Sequence, residues 1–82
     1  MSDWNEAKRI TSADETRYVQ ILTDKDRGLF CFVEHAKFTE EEPHQTYDYF
    51  APTHQSGLYQ SASDAEQAAR LELPWLRADS SK

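Results

Sequence analysis

The longest run of apolar, aromatic and β-branched positions in the chain spans residues 28–38, GLFCFVEHAKF. Side chains alternate between the two faces of a strand, so Phe30 and Phe32 would share one face and Cys31 and Val33 the other. A strand that is apolar on both faces is typical of one with neighbours on both edges and cover on both faces. The pattern therefore predicts that residues 28–38 form the central strand of a sheet.

Two further segments, residues 17–23 and 45–51, are rich in strand-forming residues and are separated from the central strand by turn signals. Residues 24–28 favour a tight turn, because aspartate bonds its own backbone there and glycine permits unusual dihedrals. Residues 39–44 hold three glutamates and a proline that lacks a donor, so we predict a solvated loop. Residues 52–57 are a second turn cluster, which completes an antiparallel order of strands.

Charge and aromatic pairing predict which positions face each other in the two hairpins. Facing opposite charges stabilise a hairpin slightly and disfavour a slip in register. The expected facing pairs are Ile21 with Phe30, Arg17 with Glu34, Phe38 with Tyr47, and Lys37 with Asp48.

The carboxyl-terminal third of the chain carries a helix signal. Ser63 and Glu66 fit the capping box, in which the serine oxygen accepts a bond from the third helical residue and the glutamate reaches back. We predict a helix over residues 64–73. Pro74 would end it, because the residue before a proline avoids helical geometry.

These elements predict one α+β domain over residues 1–82, an antiparallel meander of three to four strands with one carboxyl-terminal helix packed on one face. Residues 58–61 could add a short last strand. Residues 4–11 fit either a short helix or an edge strand. We expect residues 1–11 and 77–82 to be loosely ordered.

Composition narrows the range of possible functions and compartments. The 82 residues contain 9 basic and 15 acidic side chains, a net charge of −6, which argues against direct nucleic-acid binding. The single cysteine, Cys31, favours a reducing compartment such as the cytoplasm. The start of the chain has no apolar run, so we expect no signal peptide and no membrane contact.

No motif indicates catalysis or a cofactor, and none assigns the chain to a known family. The spacing of Cys31 and the three histidines does not match metal-ligand patterns, and two glycines leave no phosphate-binding loop. Cys31 and His54 could act as nucleophile and base, but a cysteine within a strand is usually a small buried hydrophobe. We therefore expect no enzyme, no metal and no cofactor.

The sheet itself suggests a function, because one helix can cover only one of its two apolar faces. The residues expected on the second face are Tyr18, Leu22, Leu29, Val33 and Phe50. We expect a protein-interaction module that works as a homodimer or accessory subunit, with Trp4 and Trp75 at the rim of this face. The alternative is an acidic mimic of nucleic acid, of the kind bacteria and phages make, that inhibits a DNA- or RNA-handling protein. Basic residues interrupt the acids, which disfavours this alternative.

Overall fold

The computed structural model describes residues 4–79, with side chains described as far as Arg77. One antiparallel sheet has its four strands in chain order, followed by two helices. The elements are β1 (Asn5–Thr11), β2 (Arg17–Asp24), β3 (Leu29–Glu42), β4 (Gln45–Gln55), α1 (Ala62–Glu72) and α2 (Pro74–Asp79). This arrangement confirms the predicted α+β meander, to which the structure adds a second short helix.

The fourth strand lies at the amino-terminal end of the chain. Residues 5–11 form β1, which pairs with β2 along its length and has a bulge between Glu6 and Lys8. The expected short strand at residues 58–61 reduces to one bridge between Tyr59 and Phe30. The parts of the expected loose ends at residues 1–3 and 80–82 lie outside the described residues.

The predicted register of β2 against β3 is wrong by two residues. Arg17 lies opposite Ala36 rather than Glu34. The reason is the turn: Asp24 stays in the ladder opposite Leu29, so the chain reverses over residues 25–28 only. A shift of two leaves every side chain on its predicted face, because the faces alternate with a period of two.

The register of β3 against β4 is also wrong by two, since Phe38 lies opposite Tyr49 rather than Tyr47. The expected ion pair between Lys37 and Asp48 nevertheless forms diagonally, with Nζ 3.5 Å from Oδ2. Charge pairing therefore indicated the right neighbours, but it did not distinguish facing positions from diagonal ones.

The predicted loop at residues 39–44 is wrong, because β3 continues to Glu42 and only Pro43 and His44 turn the chain. β4 likewise runs through the predicted turn at residues 52–57 as far as Gln55. Proline is tolerated in β4 because this strand is at the edge of the sheet, where a bulge lies beside it. Residues 38–49 of β3 and β4 extend past Arg17, the first residue of β2, and form a two-stranded ribbon, which we call the arm.

Both helices pack on the same face of the sheet, which we call the helix face. Ala65 and Ala69 of α1 are fully buried, and their small side chains let the helix approach the strands closely. The buried cluster consists of Val19, Ile21, Phe32, Ala65, Ala69, Leu73 and Leu76. The helices do not reach Tyr47 and Tyr49, because the arm extends past the helices.

The cap of α1 is Ser61 and not the predicted Ser63. Ser61 has an extended backbone, and its Oγ accepts a hydrogen bond of 3.0 Å from the backbone N–H of Asp64. Ser63 lies within the first helical turn. The helix therefore begins two residues earlier than predicted and ends at Glu72, ahead of Pro74.

Glu66 does not reach back to the helix start as a capping box requires. Its carboxylate accepts a bond of 2.9 Å from Nζ of Lys8 in β1 and one of 2.7 Å from Arg70. The same two donors lower the pKa of Glu66. This contact links α1 to the outer edge of the sheet.

Glu34 of β3 is almost fully buried on the helix face, where two hydrogen-bond donors and one cation, from three different elements, surround its carboxylate. Trp75 of α2 donates from Nε1 to Oε2 at 2.6 Å, and Thr53 of β4 donates from Oγ1 to Oε1 at 2.9 Å. Arg17 of β2 lies 3.7 Å away. Trp75 is thus fixed against the helix face, and its expected place at the rim of the opposite face is wrong.

We expect Ser61→Ala to lower the free energy of unfolding by about 1 kcal/mol, because it removes the acceptor for the Asp64 N–H. Ser63→Ala is the matched control and should change stability by less than about 0.5 kcal/mol. Urea denaturation followed by circular dichroism measures both. A larger loss for Ser63→Ala would mean that the helix begins at the predicted position after all.

Trp75→Phe should lower the free energy of unfolding by about 1–3 kcal/mol, because it keeps a ring but removes the donor to the buried Glu34 carboxylate. Trp4→Phe is the control, since Trp4 is half-buried and its indole makes no hydrogen bond in the described contacts. The measurement is again urea denaturation. Equal stability of Trp75→Phe and wild type would contradict a stabilising role for this bond.

Candidate interaction surface

The face of the sheet opposite the helices, which we call the open face, carries all five residues predicted for partner binding. Their places follow from the observed strand pairs, in which alternate positions share a face. The five are Tyr18, Leu22, Leu29, Val33 and Phe50. No helix in the described part of the chain packs on this face.

Aromatic rings occupy the part of the open face that is nearer to the arm. Tyr18 stacks on His35 with ring centroids 4.5 Å apart and planes inclined by 14°. Phe50 of β4 meets Tyr18 at 5.1 Å in a tilted arrangement, and the Arg9 guanidinium lies 4.5 Å from the centroid of the same ring. The structure thus brings two predicted residues, Tyr18 and Phe50, into direct contact. It adds His35 and Arg9, which sequence reasoning missed.

A chain of polar side chains crosses the open face beside these rings. Glu6 accepts bonds from Arg9 Nε at 2.7 Å and from Gln20 Nε2 at 2.9 Å. Gln20 Oε1 accepts from His35 Nε2 at 2.8 Å. Burial and the nearby Arg9 charge lower the pKa of His35 below its ordinary value, which favours the neutral ring that donates to Gln20. Gln20 is a polar residue between Tyr18 and Leu22, which share its face of the strand. This interruption of the apolar pattern was the sequence signal for a polar contact on this face.

The other part of the open face is aliphatic. Leu22 lies opposite Cys31, and Leu29 and Val33 flank Cys31 on the same strand. Cys31 and Val33 are only 3% and 9% exposed, whereas Leu22 and Leu29 are half-buried. A partner would therefore bury new surface mainly at the two leucines and at the aromatic rings.

The sequence hypothesis of a Cys31–His54 pair is wrong, because the two residues lie on opposite faces of the sheet. His54 packs on the helix face, where its ring is 5.7 Å from that of Phe32 and its Nε2 is 3.0 Å from a carboxylate oxygen of Glu72. Burial raises the pKa of the Cys31 thiol. Within residues 4–79, no group of three histidine, cysteine or acidic side chains could hold a metal ion.

Comparisons with known proteins give this surface no assigned role. No protein-family model, no curated protein and no solved structure matches the chain. None of the described helices is both long and apolar enough to cross a membrane.

Cys31 should react with a disulfide reagent more slowly in the native protein than in the unfolded chain, because the thiol is buried and its pKa is raised. Stopped-flow labelling in buffer and in denaturant measures both rates. His54→Ala is the control and should leave the native rate unchanged. Fast native labelling that slows in His54→Ala would contradict the arrangement seen here.

Proposed function

We propose that the protein is a small interaction module without catalytic activity and that it forms a homodimer through the open face. One observation carries the proposal: both helices pack on the helix face, while the open face keeps exposed and half-buried rings and leucines. Completing the burial of such a side chain contributes up to about 1.5–3 kcal/mol. A chain of 82 residues has little other core from which to gain stability.

The charges on the open face support a second copy as the partner. A two-fold interface brings the same patch of both copies together, so the patch must be complementary to itself. Two ion pairs lie on this face: Arg9 lies 2.7 Å from Glu6, and Lys37 lies 3.5 Å from Asp48, while Glu41 lies apart from them towards the tip of the arm. The central parts of two open faces can therefore meet without net repulsion, although the whole chain carries a charge of −6.

The residue types also support an interface. Tyrosine and arginine are enriched among the residues that dominate binding energy, particularly where they are held rigidly at the centre of a patch. Tyr18 meets this description, because His35, Phe50 and Arg9 all contact its ring. Little side-chain freedom is left to lose when a partner packs on it.

The alternative, an acidic mimic of nucleic acid, receives less support. A mimic needs unpaired carboxylates in a row on one surface, whereas five carboxylates of the described residues are paired with a lysine or arginine, and Glu40, Glu41 and Glu42 alternate between the two faces of the arm. The paired acids are Glu6, Asp24, Glu34, Asp48 and Glu66.

The proposal includes a location in the cytoplasm. Cys31 is the single cysteine of the chain and is free. Reducing compartments keep such thiols unpaired, and proteins of oxidising compartments more often form disulfides. The buried position of Cys31 agrees with a role in packing.

Phe50→Glu and Leu22→Glu should each shift the protein from dimer to monomer, because they place a charge in the proposed interface. Leu71→Glu is the matched control: Leu71 is exposed on α1, on the other side of the sheet, so this variant should remain dimeric. Light scattering at several protein concentrations gives the molar mass, and circular dichroism shows whether each variant is folded.

A wild type that stays monomeric at high concentration would contradict the homodimer. Dissociation of Leu71→Glu to the same extent as Phe50→Glu would contradict the assignment of the interface to the open face. Variants that unfold instead of dissociating would show that the face is covered within one chain.

A further inference from the structure

The two faces of the arm differ in chemistry. Strand alternation places one set of arm residues on the side continuous with the helix face, beyond the reach of the helices. We call this surface the aromatic face of the arm. Its members are Phe38, Glu40, Glu42, Gln45, Tyr47 and Tyr49.

Three rings form a continuous row on this face. Phe38 and Tyr49 have centroids 5.8 Å apart, and Tyr49 and Tyr47 have centroids 6.2 Å apart. Their side chains are large and hydrophobic, yet Phe38, Tyr47 and Tyr49 are 41%, 44% and 39% exposed. Large apolar side chains gathered in one exposed patch mark an interaction site more often than scattered ones do.

Carboxylates lie beside the rings, and Arg17, which lines a cleft with Phe38 at the base of the arm, is paired with Glu34. Tyr49 donates from its hydroxyl to Glu40 at 3.1 Å, and Glu42 lies further out on the same face. Within the described arm, no lysine or arginine shares this face, and Lys37 at its base points to the open face and pairs with Asp48. Ring faces carry negative electrostatic potential, so rings and carboxylates together attract a cation.

A free strand edge runs beside the rings. The pairing of β2 with β3 ends at Ala36, and the N–H of Lys37 donates to the carbonyl of Thr16 at 2.8 Å. Because successive residues of a strand direct their backbone groups to alternate edges, Thr39 and Glu41 direct theirs to the same edge as Lys37. In the part of the chain that the structure describes, no strand lies there to receive them. An extended segment can add to such an edge by main-chain hydrogen bonds.

We propose that the arm binds an extended, arginine-containing segment of a protein partner. The segment pairs its backbone with β3 at Thr39 and Glu41, and its arginine side chains lie on the aromatic face near Glu40. Arginine fits better than lysine because its planar guanidinium stacks on a ring while still donating to a carboxylate. A second copy of this chain is a poor occupant, because its arm would bring the same acids.

The test uses a short fluorescent peptide in which arginine alternates with valine, and binding to the full chain is followed by fluorescence anisotropy. Tyr49→Ala should weaken binding about three- to tenfold, because it removes the middle ring. Glu40→Gln should weaken it about threefold. Asp26→Asn is the control, since it removes the same charge from the exposed turn at the other end of β2, away from the arm, and should change affinity by less than about twofold.

Two further measurements separate stacking from general attraction by an acidic protein. Tyr49→Phe keeps the ring and loses the bond to Glu40, so it should bind nearly as well as wild type. A peptide with lysine in place of arginine should bind more weakly. Circular dichroism confirms that each variant is folded.

Equal losses in Glu40→Gln and Asp26→Asn, unchanged binding by Tyr49→Ala, or a lysine peptide as tight as the arginine peptide would each overturn the proposal. The outcome is independent of the homodimer. Leu22→Glu, on the open face and remote from the arm, should lose the dimer and keep peptide binding.

Discussion

The carboxylate of Glu34 is almost fully buried, and a buried charge is tolerated only where hydrogen-bond donors and an opposite charge compensate for the lost water. Those partners are supplied by Trp75, Thr53 and Arg17, which belong to three different elements. One side chain of the central strand therefore ties together both of its neighbouring strands and the last helix. The bond from Trp75 fixes α2 beside the strand, next to the point where Leu76 enters the core.

This attachment decides which surfaces remain uncovered. The two helices are held over the centre of the sheet, where Val19, Ile21 and Phe32 are fully buried. They cannot also cover the opposite face, and they do not extend along the arm, where the rings stay exposed. Both candidate interaction surfaces stay exposed because the core is small and the helices cover only the central part of one face of the sheet.

Local sequence was sufficient for the fold class and for the faces of the sheet, but not for features that depend on distant residues. Alternation put the five predicted interface residues on one face, and a register error of two left them there. The register itself was missed because Arg17 lies opposite Ala36 and pairs with Glu34 diagonally. The two charges therefore indicated a neighbour of Arg17 and not the residue that faces it. The length of the arm was missed because consecutive glutamates and a proline resemble a loop, although a ribbon with solvent on both faces accepts charged residues. The bond between Trp75 and Glu34 joins residues 41 positions apart and has no local signal.

The two uncovered surfaces differ in charge, and this difference would separate the partners proposed for them. The open face carries two ion pairs, which would suit a second copy, while the aromatic face of the arm combines rings with the acids Glu40 and Glu42, which would suit a basic segment. Because the two surfaces lie on opposite sides of the sheet, a dimer formed through the open face would leave both arms accessible. Such a dimer presents two identical arms, so a partner with repeated basic segments would bind with higher avidity than either arm alone provides.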